Sequence, residues 1–197
     1  MPFTLLPDGV DRDVLVKEFV LPVIGVPSDQ VIDILPANQF QRDCMNSTTE
    51  PFGLQYAYMD IQPHISWEKL VSSCRKAVQS FEGMRSQFVK NGNDYYQVTL
   101  RDAPLLVEEI STTEQMTKFC NEYCLNDPRK AVIGDITTKL TLVHIGRSRR
   151  RVIMRISHAQ YDGWCTEQVF RALEATYNDE DLLPTPPFSQ LLHHRSL

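Results

Sequence analysis

The segment Ile156-Ser157-His158-Ala159-Gln160-Tyr161-Asp162-Gly163-Trp164 leaves a strongly alternating run and enters an amphipathic one. Upstream, Val152, Met154 and Ile156 fall on one side of a strand, and His158 continues that inward row. Downstream, Gly163 releases the chain into a helix with Cys165, Val169, Phe170 and Leu173 apolar. A histidine that ends a buried strand and is followed four residues later by Asp-Gly reads as a catalytic corner. With five histidines and eight glycines in 197 residues, chance supplies about 0.01 such His-x-x-x-Asp-Gly matches. Each residue also has a structural reading. His158 fits a core imidazole satisfied by a backbone carbonyl, and Asp162 fits a helix N-cap. Asp162 with Arg85 fits a buried ion pair that holds the turn. These readings coexist with function, because a base needs a fixed rotamer and a braced loop supplies one.

The rest of the chain frames this corner. Thr137 to Ile145 and Arg151 to Ser157 read as strands joined through Gly146-Arg147-Ser148-Arg149, the first with Leu140, Leu142 and His144 on one face. Leu54 to Ile61 alternates, with Tyr56 and Tyr58 on one side and Ala57, Met59 and Ile61 on the other. Ser66 caps a helix with the stripe Trp67, Leu70, Val71, Cys74, Ala77, Val78 and Phe81, which Gly83 ends. Met84 to Val89 and Tyr95 to Leu100 read as a hairpin about Asn91-Gly92-Asn93-Asp94. Arg85, inside the first of these strands, must face solvent or find a partner. Leu105 to Ile110 is a short strand, and Ser111 with Glu114 has capping-box spacing before a helix carrying Met116, Phe119, Cys120 and Tyr123. Pro36 suits the first turn of a helix running through Phe40 and Met45. Residues 1–27 read as a lead-in, with Asp11 capping a short helix that Pro22 stops. After the Pro-rich stretch 183–188, residues 189–197 read as the start of one more helix. The order of elements predicts an α/β or α+β sandwich with a mixed sheet and flanking helices.

Composition sets limits on the chemistry. A net charge of −5 argues against nucleic acid as the main partner. The basic cluster Arg147, Arg149, Arg150 and Arg151 reads first as a solvated hairpin tip and second as a patch for an acidic partner. The longest apolar run, Phe19 to Val26, is broken by Pro22 and is too short to span a bilayer. Five cysteines without metal or framework spacing read as reduced, mostly packed thiols of a cytoplasmic protein.

Ser157-His158-Ala159-Gln160-Tyr161-Asp162-Gly163 resembles the HHxxxDG motif of nonribosomal peptide synthetase condensation domains, in the SHxxxDG form familiar from fungal synthetases. Two further signatures fall in the expected order. Ile34-Leu35-Pro36-Ala37-Asn38-Gln39-Phe40-Gln41 resembles the opening motif of the family, and Met84-Arg85-Ser86-Gln87-Phe88 resembles its LRTxF motif. Pro2-Phe3-Thr4-Leu5-Leu6 is similar to the lead-in between a carrier protein and the next condensation domain. The resemblance implies a chloramphenicol acetyltransferase-like fold of two lobes, of which residues 28–197 match the N-terminal one and residues 1–27 a linker. It implies an acyltransferase of secondary metabolism: an amine attacks a thioester to form an amide, with macrocyclising release as a variant. His158 would be the catalytic histidine, and the Gly163 N–H would help stabilise the oxyanion. Asp162, Arg85 and Ser157 would be structural. No cofactor would be bound, since substrates arrive on the 4'-phosphopantetheine arms of carrier protein domains. Other expected partners are the C-terminal lobe, in cis or in trans, and further copies of the chain through the open lobe face. A non-catalytic carrier-binding module and a coenzyme A-dependent HxxxD acyltransferase are the competing readings.

Overall fold

A computed structural model describes residues 3–46, 53–102, 105–127, 133–146, 149–161 and 163–182. The element order places strands and helices in two packed groups, each built on its own sheet.

The first group starts with α1, a continuous run of Arg12–Val14, π-helical Leu15–Val20 and Leu21–Ile24. The Asp11 carboxylate caps it by accepting the N–H groups of Asp13 and Val14. Pro22 does not stop the helix. The Leu21 N–H reaches back five residues to the Val16 carbonyl, and that widened turn accommodates the proline ring. Gly25, at φ 71°, ends the run instead. The strand β1, Val31–Pro36, occupies residues where the proline pattern suggested a helix start. Its β-branched Val31, Ile32 and Ile34 favour extended backbone, and Pro36 sits at the strand end, where a missing N–H costs little. The helix α2, Gln39–Asn46, follows. Asn38 Oδ1 accepts the Gln41 N–H and Gln41 Oε1 accepts the Asn38 N–H, a reciprocal cap at the helix start.

Strands β3 (Ser86–Asn91) and β4 (Asp94–Leu100) form the expected hairpin. Gly92, at φ 59°, supplies the tight two-residue turn. The three-stranded antiparallel sheet runs β1-β4-β3. Leu15 and Val20 of α1 pack on Val31, Ile34, Val89, Tyr96, Val98 and Leu100 of that sheet.

The second sheet is mixed, in the order β2-β7-β6-β5. Its strands are β2 (Leu54–Ile61), β5 (Leu106–Thr112), β6 (Lys139–Ile145) and β7 (Arg149–Ser157). Strands β5 and β6 are parallel; the other pairs are antiparallel. One face carries Leu140, Leu142, Val152, Met154 and Ile156 against α3 (Trp67–Ser80) and α5 (Gly163–Tyr177). The other face presents Val143 and Ile153 to α4 (Met116–Leu125). Ser66 caps α3 as its sequence indicates. At α4 the capping differs: β5 extends to Thr112, whose Oγ1 accepts the Glu114 N–H, and the Gln115 side chain caps by accepting the Lys118 N–H.

Two assignments near residue 83 also shift. Helix α3 ends at Ser80, with the Phe81 N–H turned to the Val78 carbonyl, and Gly83–Arg85 is a short 3-10 turn before β3. Arg85 therefore precedes the strand rather than sitting within it. Arg150 donates to the carbonyls of Gln62, Pro63 and Ile65, and Arg151 forms a two-pronged pair with Asp60. These two arginines thus anchor neighbouring loops and strands; Arg147 lies outside the described residues, as do residues 183–197. All five cysteines are free thiols, three of them buried. Burial pushes the Cys44 thiol up to about 11 and Cys74 up to about 12, so both are neutral packing groups.

Candidate active site

The chain leaves β7 at Ser157 and turns back within four residues. The Gln160 N–H bonds the Ser157 carbonyl at 2.9 Å, and Ser157 Oγ accepts the Ala159 N–H at 3.2 Å. Ser157 is 1% exposed, so its hydroxyl serves the turn and not a ligand. The His158 N–H continues the sheet ladder for one more bond, to the Gly53 carbonyl at 2.8 Å.

The half-buried imidazole of His158 is held on three sides. Its ring stacks on Tyr161, with centroids 5.1 Å apart, and meets the Phe40 ring edge-on at 5.0 Å. Nδ1 lies 3.2 Å from the Tyr161 carbonyl oxygen. A carbonyl only accepts, so Nδ1 carries a proton, and in the neutral form of the ring Nε2 is the nitrogen with the lone pair. The Tyr161 hydroxyl in turn donates to Gln55 Oε1 on β2, and burial pushes its phenol upward.

The turn is wedged between the two sheets. Ala159 packs with Cys44 of α2 and Phe88 of β3. Gln41 Nε2 donates to the Ala159 carbonyl at 3.0 Å and to Gln97 Oε1 at 2.7 Å. Gln97 Nε2 donates onward to Ser86 Oγ at 3.0 Å. From the other side, Gln160 Nε2 donates to the Ser86 carbonyl at 2.8 Å, while its Oε1 accepts the Thr137 hydroxyl. Gln41, Gln97, Ser86 and Thr137 are all buried.

Arg85 donates from Nη1 to the carbonyls of Leu100 and Arg101, at 2.8 and 3.1 Å. Its buried Nε has no hydrogen-bond partner among the described residues. Asp162 lies outside the described residues, so the pairing of Arg85 with Asp162 is not part of this geometry. Gly163 opens α5, directly after the turn.

No family model matches the chain. Over 196 residues, 100% of this chain to the nearest per cent, it is 42% identical to cyclochlorotine synthetase of Talaromyces islandicus, of which it spans 4%. It is 28% identical over 197 residues to cyclosporin synthetase simA of Tolypocladium inflatum, covering 98% of this chain and 1% of that protein. The chain thus spans only a few per cent of the length of these relatives. Among solved structures, holo T3CT matches all of this chain at TM-score 0.82 and 25% identity, over 46% of its own length. The condensation domain of the monacolin K polyketide synthase MokA matches 85% of this chain at TM-score 0.67 and 17% identity, over 39% of its own length. The fold is that of one lobe of a condensation domain. It has the expected chloramphenicol acetyltransferase-like architecture, a mixed sheet with flanking helices.

Within this fold, His158 stands just past the end of β7, where its sequence context put it, and its supports come from distant segments. Gln41 closes the opening motif, yet an amide on a helix carries no sign of burial. Gln160 sat among the unspecified positions of the histidine motif. Arg155 of β7 is 2% exposed and pairs at 2.8 Å with Asp127, whose side chain is 7% exposed. Its Nε and Nη2 donate to the carbonyls of Thr137 and Ile136. A separate open cleft of about 430 Å³ lies on the α4 side of the mixed sheet, lined by Glu108, Glu114, Phe119, Tyr123 and Lys139 among others, and includes no residue of the histidine turn. There Lys139 and the Tyr123 hydroxyl hold Glu108 below the usual carboxylate range. Among the described residues, no helix is long and apolar enough to cross a membrane.

Proposed function

We propose that this lobe supplies the catalytic histidine for amide formation in nonribosomal peptide synthesis. The observation that carries the reading is the imidazole itself: with Nδ1 committed to the Tyr161 carbonyl, Nε2 is the nitrogen left to meet a substrate proton. The 42% identity to cyclochlorotine synthetase along the whole chain supports the class of reaction. In that reaction the amine nitrogen of the acceptor attacks the thioester carbonyl carbon of the donor. As the C–N bond forms, Nε2 accepts a proton from the amine. The C–S bond then breaks, and the departing thiolate takes that proton from the imidazolium. Donor and acceptor reach the site on the 4'-phosphopantetheine arms of carrier proteins, and the chain holds no cofactor of its own.

The remaining residues take supporting roles in this proposal. The Gly163 N–H, at the start of α5, would stabilise the oxyanion of the tetrahedral intermediate. Asp162 would pair with Arg85, whose buried Nε has no partner among the described residues. Ser157 marks the fungal SHxxxDG form of the motif, and its buried hydroxyl supports a structural role. That form leaves the same chemistry open to macrocyclising release, where amine and thioester belong to one peptide. Residues 1–27 would link the lobe to a preceding carrier domain, and a C-terminal lobe, in cis or in trans, would complete the tunnel in the cytoplasm.

The test combines this chain with a second lobe and two carrier proteins loaded as aminoacyl thioesters, with amide formation followed by mass spectrometry. The expected result is product from the native chain and a loss of roughly 10²–10⁴-fold on His158→Ala. Equal rates from both proteins would overturn the catalytic role and leave a carrier-binding module. Turnover of acyl-coenzyme A in place of carrier thioesters would move the chain to a different acyltransferase class. The lobe alone is also expected to self-associate, since apolar groups such as Phe40, 43% exposed beside His158, remain at its surface. Light scattering that shows a monomer at every concentration would contradict this.

A further inference from the structure

We propose that Gln41 is the positioning residue of His158, acting through the backbone of the histidine turn. The inference rests on the functional reading above, but its first test does not depend on it. Gln41 is 6% exposed and its side chain is fully committed. Oε1 accepts the Asn38 N–H, while Nε2 donates to both the Ala159 carbonyl and Gln97 Oε1.

The direction of these bonds matters. Gln97 passes its own amide hydrogen to Ser86 Oγ, which donates to the Glu82 carbonyl. The chain of donors therefore runs from α2 through β4 into the start of β3. Gln160, on the histidine turn, bonds the same stretch of β3 through the Ser86 carbonyl. Residue 159 is thus held by α2 and residue 160 by β3. The next residue, Tyr161, presents the carbonyl that fixes the protonated nitrogen of His158. Because one short turn contains both the imidazole and its acceptor, moving the turn changes where Nε2 points and which nitrogen carries the proton.

Hydrophobic packing alone does not specify this. The cluster under the turn consists of Cys44, Phe88 and Ala159, with Met45 at its margin, and such contacts tolerate sliding because they are non-directional. The Gln41 amide supplies the directional constraint. A glutamine fits because the site demands two donors and one acceptor from one neutral group, a set that neither glutamate nor methionine offers.

The test replaces Gln41 with methionine, of similar shape but without the amide, and reads the imidazole nitrogens by long-range ¹H–¹⁵N NMR of the labelled chain, His158 being assigned with His158→Gln. In the native chain near pH 8, His158 is expected in the Nδ1–H form. Gln41→Met is expected to bring the Nε2–H form to a comparable population, about a 10-fold change in tautomer ratio. Asn38→Ala, at an exposed helix cap, is expected to shift the ratio the same way by less, and it serves where the methionine variant does not fold. An unchanged ratio in the folded variants would overturn the positioning role, whatever the activity. In the two-lobe condensation assay, Gln41→Met is expected to lower kcat by about 10²-fold with KM little changed. A shifted tautomer with no condensation even from the native chain would refute the proposed function and leave the positioning role intact.

Discussion

Arg155→Met is expected to destabilise the lobe by about 3–5 kcal/mol, the cost of removing one member of a buried ion pair. The guanidinium makes three connections at once, and its partner makes a fourth. It pairs with Asp127 at 2.8 Å, donates to the carbonyls of Thr137 and Ile136, and the same Asp127 oxygen accepts the Tyr56 hydroxyl. Side-chain exposures of 2% and 7% leave little water to replace those bonds. Burial, with Asp127 nearby, already pushes the Tyr56 phenol strongly upward. Methionine fills much of the volume, so the loss is polar rather than a cavity. Thermal unfolding should show a fall of roughly 6–20 °C. The double variant with Asp127→Asn should recover part of the fall, because it removes the stranded charge. A melting temperature within about 2 °C of the native chain would refute this account.

The consequence reaches the histidine. Arg155 fixes the backbone at 136–137, and the Thr137 hydroxyl bonds Gln160 in the histidine turn. The sheet that carries His158 therefore also braces the turn from below, through a buried charge. Period-two patterning sorts residues by polarity, and an arginine is sorted outward. Only its partner, 28 positions away and across β6 from α4, makes burial affordable, and sequence distance hides that partner.

The same logic explains what else was legible. Amphipathic stripes on α3, α5 and β2 are local and dominated by apolar burial, so they survive into the fold as read. The β3–β4 hairpin carries its turn chemistry in Gly92. Strand β1 was obscured by Pro36, whose helix-start preference is real but weak beside three β-branched residues and a vacant edge of β4. His158 was legible as the residue just past a buried strand, with a rare spacing to Asp-Gly. Its orientation was not, because the Tyr161 carbonyl, the Gln41 amide and the Ser86 carbonyl belong to three separate segments that meet only after folding.

Gly83→Ala should be the second severe substitution, and for a reason visible only in three dimensions. The φ of Gly83 is not in the left-handed region, so alanine is permitted by the backbone. Space is the obstacle: a Cβ built there falls on the carbonyl oxygen of Gln160, well inside van der Waals contact. Neither side can yield easily. Gly83 lies in a turn whose neighbours are held by the Arg85 N–H bonds to Phe81 and Glu82, and Gln160 is held by Ser157, Ser86 and Thr137. Relief requires overpacking strain of about 1–3 kcal/mol, or loss of a buried bond of similar size. The expected loss of stability is therefore about 3 kcal/mol, read by denaturant unfolding. Gly92→Ala is the control, since it has positive φ but no atom within 4 Å, and should cost only about 1–2 kcal/mol. If strain is released by pushing the turn outward, the Nδ1–Tyr161 contact lengthens and the histidine loses its defined tautomer before the lobe unfolds. A Gly83→Ala chain as stable as the native one, with an unaltered His158 spectrum, would mean that the turn does not lie against residue 83, and the two-sheet wedge that orients the imidazole would fail with it.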